Sequence, residues 1–408
     1  MSSSAPSRAP RLRPVRREGS RVMPLELFFD LVFVLALTQC TALMADEPTW
    51  TGLGKGVLVL TVLWWAWVGY AWLTSVVEPE ETLVRFTIFG AMAALLIVAL
   101  SIPEAFGDWG LVFALSYAVV RLGQIGLFAL ASSDDPKLRR SLIIGITWST
   151  VIGTALLVGA AFADGPLQGG LWLVAIAVDL GGPLLFGVEG WRLEAGHFAE
   201  RHGLIIIIAL GESIVAIGVG AEFGLDAGVV TAAVVGIAIA AALWWLYFDI
   251  VALVAERRLA NAAPGREQNA VARDSFSYLH LPMVAGIVLV ALGMKKSLEH
   301  VGDPLKLEPS VALLGGTAVY LLAHVAFRWR NVHRFSVQRV VCAIALVALI
   351  PMAVEVPALV TLVVIAALLA ALIAWENVHF AELRERLRHE LGHEGGAAPA
   401  GDAASGGH

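Results

Sequence analysis

The chain has 408 residues, of which 58% are hydrophobic and 15% charged, with a mean hydropathy of +0.78 and a net charge of −6. A soluble domain carries about 25% charged residues, so a water-covered globule is excluded for want of a polar shell. Cys40 and Cys342 both lie in apolar runs, which fits reduced packing residues and speaks against a disulfide framework.

In chain order, residues 1–23 form a Ser- and Arg-rich arm whose only acid is Glu18. Pro6, Pro10 and Pro14 disfavour an amphipathic transit helix there, and the arginines suit a cytoplasmic arm beside a first membrane span. From residue 24 onward, apolar runs long enough to cross about 30 Å of hydrocarbon recur along the chain. They predict spans near 24–44, 54–77, 84–102, 110–131, 141–162 and 168–190, then 203–221, 229–254, 276–294, 310–327, 337–354 and 357–376. The expected fold is an all-α integral membrane protein of about 12 transmembrane helices occupying residues 24–376. Residues 377–408 are expected to add a short amphipathic cytoplasmic helix and a Gly/Ala/Ser-rich disordered tail.

Lys and Arg support the count. With twelve spans, nearly all the arginines fall on one side and only Lys55, Lys295, Lys296 and Lys306 on the other, with Arg121 inside a span. The positive-inside rule then places both termini in the cytoplasm. Leu63-Trp64-Trp65 in the second span echoes Leu243-Trp244-Trp245 in the eighth, as a parallel 6+6 repeat would require.

Ionisable groups inside spans cost about 2.5–3.5 kcal/mol each on insertion scales and usually face a cavity or each other. Glu26 and Asp30, four residues apart, share one face of the first helix. Asp179 precedes Gly181-Gly182-Pro183, a run expected to break or kink the sixth helix and expose carbonyls to an ion or substrate. Glu212, followed by Ser213, falls near mid-depth of the seventh span, where a lone carboxyl is expected to carry a proton. Asp249 lies toward the cytoplasmic end of the eighth. Against these acids the interior offers one cation, Arg121, so proton or cation handling is the sharpest expectation. The seventh span opens with Glu200-Arg201-His202, and these with His197 are candidate cytoplasmic gate residues, Glu200 and Arg201 as a pair. His280 and His324 lie toward the cytoplasmic ends of their spans and are candidate relay members.

Other motifs carry less. His389-Glu390-Leu391-Gly392-His393 matches H-E-x-x-H formally, but Pro399 stands where a third metal ligand belongs, so adventitious metal binding is expected and catalysis is not. Gly211-Glu212-Ser213 begins like a nucleophile elbow without its final glycine or preceding strand. No nucleotide fingerprint appears, and no cofactor, structural metal or nucleic-acid partner is expected; the partners are the bilayer and an unidentified small solute or ion.

Two segments resemble the bacterial low temperature requirement protein A family. Pro24-Leu25-Glu26-Leu27-Phe28-Phe29-Asp30-Leu31-Val32-Phe33-Val34 is similar to its opening signature. His197 to Leu204, running into Ala209-Leu210-Gly211-Glu212-Ser213, is similar to a second. The resemblance implies a multipass bacterial membrane protein linked to growth in the cold, and it falls on the acids singled out above. The leading expectation is a transporter or permease with proton or cation coupling, and not an enzyme. The alternative is a membrane scaffold or stress-adaptation factor whose buried polar groups fix helix packing. An intramembrane enzyme would need a nucleophile or metal constellation of which His197, Glu200 and His202 supply only part.

Overall fold

The structure is a computed structural model that describes residues 21–77, 81–132, 136–141, 146–186 and 193–381. Within a bilayer the backbone must satisfy its own hydrogen bonds, and the apolar runs accordingly form helices, with no strand among the described residues. We number twelve of them α1 (Pro24–Asp46), α2 (Trp50–Thr74), α3 (Thr82–Ser101), α4 (Gly110–Ala131), α5 (Trp148–Ala160), α6 (Gly165–Phe186), α7 (Ala195–Gly220), α8 (Ala227–Phe248), α9 (His280–Glu299), α10 (Gly316–Val332), α11 (Val337–Ala348) and α12 (Ala358–His379). Each expected span has its helix. Among the described residues ten helices are long and apolar enough to cross a membrane, whereas α5 and α11 are shorter. The H-E-x-x-H motif and most of the expected terminal helix lie outside the described residues, as does nearly all of the basic arm.

Local chemistry sets several helix starts. Pro24 opens α1, where a missing N–H costs nothing, and the Met23 N–H donates to Glu26 Oε2 at 2.8 Å. Thr49 Oγ1 accepts from the Gly52 N–H at the head of α2, and Asp226 Oδ1 accepts from the Val229 N–H at the head of α8.

In the first half α1 packs on α2 and α3, α3 on α4, α4 on α5, α5 on α6, and α6 back on α2. In the second half α7 packs on α8 and α9, α9 on α10, α10 on α11, α11 on α12, and α12 back on α8. Every one of these pairings has its counterpart six helices later. The halves meet where α1 packs on α7 and α9. The two Leu-Trp-Trp segments nevertheless differ in setting: Trp64 and Trp65 are buried, whereas Trp244 and Trp245 are exposed.

The α9–α10 contact depends on glycine. A Cβ on Gly286 would stand 2.7 Å from the Gly316 carbonyl oxygen, and one on Gly316 would stand 2.9 Å from that of Gly286. Small residues let the two backbones approach, as membrane helix pairs require when no water drives them together. Both cysteines are buried free thiols, as expected.

Two expectations about helix ends are corrected. The seventh helix begins at Ala195, about two turns before the expected bound near residue 203, and takes His197 into its first turn ahead of Glu200, Arg201 and His202. The sixth helix does not break at Gly181-Gly182-Pro183 but runs through Pro183 to Phe186. Carbonyls around the proline find donors on a wide π-helical turn, Ala272–Tyr278, where Tyr278 Oη–H donates to the Leu180 carbonyl and Arg273 Nη1–H to that of Pro183. Neighbouring side chains thus hold two carbonyls in the turn around the proline.

Candidate functional site

The richest polar cluster lies in the first two turns of α1 and α7, where the halves meet. Spacing of four residues aims Glu26 and Asp30 from one face of α1, and His197 and Arg201 from one face of α7. All four side chains are buried. Arg201 spans both acids, with Nη1 at 3.2 Å from Glu26 Oε1 and Nη2 at 2.8 Å from Asp30 Oδ1. Trp67 Nε1–H donates to the same Asp30 oxygen at 2.9 Å, and the Arg201 guanidinium carbon lies 5.5 Å from the Trp67 ring centre. His197 Nε2 is 2.9 Å from Glu26 Oε1, and its Nδ1 is 3.1 Å from Ser75 Oγ.

These bonds allow two proton counts. The Ser75 hydroxyl has one proton, which goes either to the Ala71 carbonyl at 2.7 Å, making His197 Nδ1 the donor to Ser75 Oγ, or to Nδ1, leaving that carbonyl to its helical N–H donor. Nε2 then faces a carboxylate oxygen at hydrogen-bond distance, and that contact is favourable only with a proton between them. With Nδ1 as donor the cluster of Arg201, His197, Glu26 and Asp30 carries no net charge, whether the Nε2 proton rides on the imidazole or on Glu26; with Nδ1 as acceptor it carries a charge of −1.

Beside it a chain of rings leads into the second half. His202 Nδ1–H donates to the Phe198 carbonyl at 2.8 Å, which leaves Nε2 buried with no hydrogen-bond partner. Its ring meets that of His280 edge-on at 5.2 Å. His280 Nδ1–H donates to the Ser275 carbonyl, and Tyr247 Oη–H donates to its Nε2 at 2.8 Å. The Tyr247 ring lies 5.9 Å from that of His324, both of whose nitrogens are buried without partners.

Three remaining acids lie elsewhere. Glu212 is buried deeper on the same α1–α7 seam and accepts from Thr38 Oγ1 at 2.5 Å, with the unpartnered Ser213 hydroxyl next to it in sequence. Eight residues of α1, about 12 Å of rise, separate Asp30 from Thr38. Asp179 pairs with Arg121 in the first half: Nη2 is 2.9 Å from Asp179 Oδ1 and donates to Thr150 Oγ1 at 2.6 Å, while Nη1 donates to Gln124 Oε1 at 2.8 Å. Gly181 and Gly182 continue that helix. Asp249 closes α8 on the wall of a separate cavity.

The expected ledger of acids against Arg121 alone is therefore corrected. Arg201 is an interior cation that two acids share. Glu200 faces outward and accepts from the Val22 N–H, so it does not pair with Arg201 as expected of a gate. A third buried pair, Arg339 on α11 with Glu376 on α12 at 2.8 Å, was taken in the sequence for span-flanking charge. Trp67, Ser75, Thr150 and Tyr247 also escaped sequence reasoning, since hydroxyls and rings on apolar helices give no local signal. The available signal was the matched spacing: two acids four apart and two bases four apart. No three His, Cys, Asp or Glu side chains among the described residues converge as a metal ion would need.

The sequence model of the family described as "Bacterial low temperature requirement A protein (LtrA)" matches residues 21–374. The chain is 31% identical over 323 residues to an uncharacterized protein of Rhizobium meliloti (strain 1021), covering 76% of this chain and 78% of that one. No solved structure matches.

Proposed function

The chain belongs to the bacterial low temperature requirement A family, and we propose that it is a multipass inner-membrane transporter or permease whose coupling ion is the proton. The observation that carries this reading is the proton held between His197 and Glu26 at the seam of the two halves. An ionisable group inside a membrane is costly, and a His–carboxylate pair that passes a proton between its members without changing its net charge is a relay element. Glu212, deeper on the same seam, supplies a second proton-carrying group, and the His202–His280–Tyr247–His324 rings flank the first. The recurrence of each helix pairing six helices later supports twelve spans arranged as a parallel 6+6 repeat, and the distribution of arginines supports cytoplasmic termini. Transporters of that construction work at the interface of their repeats, which is where α1 and α7 meet.

A second reading, a non-transporting scaffold, is favoured by the closed pairing of Arg121 with Asp179 and of Arg339 with Glu376. One experiment separates the two. The protein is reconstituted in liposomes with an internal pH dye under an imposed potassium diffusion potential, and wild type is compared with Glu26→Gln and Glu212→Gln. Proton flux in the wild type that falls at least tenfold in Glu26→Gln, with folding retained, is the expected result. Flux no greater than in protein-free liposomes overturns the proton path and leaves the scaffold reading in its place.

A further inference from the structure

At the opposite edge of the second half, a cavity of about 300 Å³ opens between the end of α8 and helices α10, α11 and α12. Three guanidiniums and two carboxylates line it: Arg328, Arg334 and Arg339 against Asp249 and Glu376, a net charge of +1. Arg339 is consumed by Glu376, with Nε 2.8 Å from Oε1 and Nη2 2.9 Å from Oε2. Arg328 is held in place by Ser336 Oγ at 2.9 Å and by the Phe380 ring, 5.2 Å below its guanidinium carbon. Neither Arg328 nor Arg334 forms an ion pair within 4 Å among the described residues. Apart from Asn331 the remaining wall is apolar and includes Trp245, Ile250 and Val251.

The depth of this cavity is marked independently. Exposed Trp245, Trp329 and Trp375 ring the same end of α8, α10 and α12, as indole rings do at the level of lipid headgroups. Arginines beside such a belt bind phosphate by their forked N–H donors, and basic pockets between membrane helices bind lipid headgroups. We propose that the cavity is a headgroup site for an anionic phospholipid: the phosphodiester is held by Arg328 and Arg334, and the glycerol and upper acyl chains lie along Trp245, Ile250 and Val251. A singly charged phosphodiester neutralises the surplus positive charge, and a zwitterionic lipid does not. The site rests on the chain spanning a membrane and not on the proton reading, so either can fail alone.

The test is native mass spectrometry of the full chain released from mixed micelles containing equal phosphatidylglycerol and phosphatidylcholine. Wild type is expected to retain phosphatidylglycerol in preference by about thirtyfold, each of the two arginines contributing about fivefold at a charged surface. Arg328→Gln with Arg334→Gln removes the preference, and Arg334→Gln alone, at an exposed position that folding does not depend on, reduces it by about half on the same logarithmic scale. Arg266→Gln, exposed on a different segment, leaves it unchanged. Equal retention of the two lipids by wild type, or a preference that survives both substitutions, overturns the site. Displacement of the retained lipid by excess glycerol phosphate assigns the cavity to a soluble phosphate compound and overturns the lipid as occupant.

Discussion

The cluster at the α1–α7 seam and the Arg121 cluster inside the first half are equally buried and both ionic, yet they differ in what they can do when disturbed. Arg121 has one acid, Asp179, and its guanidinium keeps its proton under all conditions a protein meets. If the acid is lost, the charge stays and has nowhere to go. The seam cluster has two acids, one arginine and one histidine. Removing one acid there leaves a choice, because His197 can release its proton and the cluster remains neutral. A buried ion pair built on arginine is a rivet, whereas one built on histidine is also a charge buffer, and the two are distinguished by which side chain can change its charge.

The rivet gives the largest effect. Asp179→Ala strands Arg121 and is expected to destabilise the protein by about 3–5 kcal/mol, read as loss of the folded monodisperse species on heating in detergent. Arg121→Met combined with Asp179→Leu removes both charges and should recover most of that loss, since replacing a buried pair with apolar side chains is often neutral. A double variant no more stable than Asp179→Ala would break the comparison. Glu26→Gln is expected to cost less, about 1–3 kcal/mol, because the amide oxygen still accepts from Arg201 and His197 drops the surplus proton. The same variant should nonetheless lose proton flux, which Asp179 substitutions that fold should not.

Gly286→Ala tests whether the second-half packing is independent of the seam. The added methyl meets the Gly316 carbonyl oxygen and should cost about 1–3 kcal/mol in thermal unfolding while leaving flux per folded molecule unchanged. The smallest effect belongs to Ser213→Ala. Its hydroxyl has no partner, so stability should stay within about 0.5 kcal/mol of wild type, and a larger loss would mean that the hydroxyl is engaged by the neighbouring Glu212.

Much of this architecture was legible in the sequence, because a membrane forces each span to declare itself as an apolar run. The twelve runs, the shared face of Glu26 and Asp30 and the interior position of Arg121 all follow from spacing and hydropathy. What failed was the reading of charge at helix ends. Arg201 and Arg339 resembled positive-inside flanks, because hydropathy sees one helix at a time and cannot see the acid on its neighbour. Pro183 signalled a break for the same reason: Tyr278 and Arg273, whose side chains hold the Leu180 and Pro183 carbonyls, arrive from a segment about 90 residues later. The proton count was legible only after Ser75, His197 and Glu26 were placed together, since it depends on which atoms already have their hydrogen bonds.

The central claim is that Glu26 and one proton form a neutral unit with His197, and the net charge of the molecule tests it directly. Native isoelectric focusing in an uncharged detergent compares wild type with Glu26→Gln, using the exposed Glu222→Gln as the standard for loss of one negative charge. The account predicts that Glu26→Gln focuses with wild type, because the carboxylate and the His197 proton leave together. A shift equal to that of Glu222→Gln would show that Glu26 was an ordinary anion beside a neutral histidine, and would contradict the proton relay at the seam.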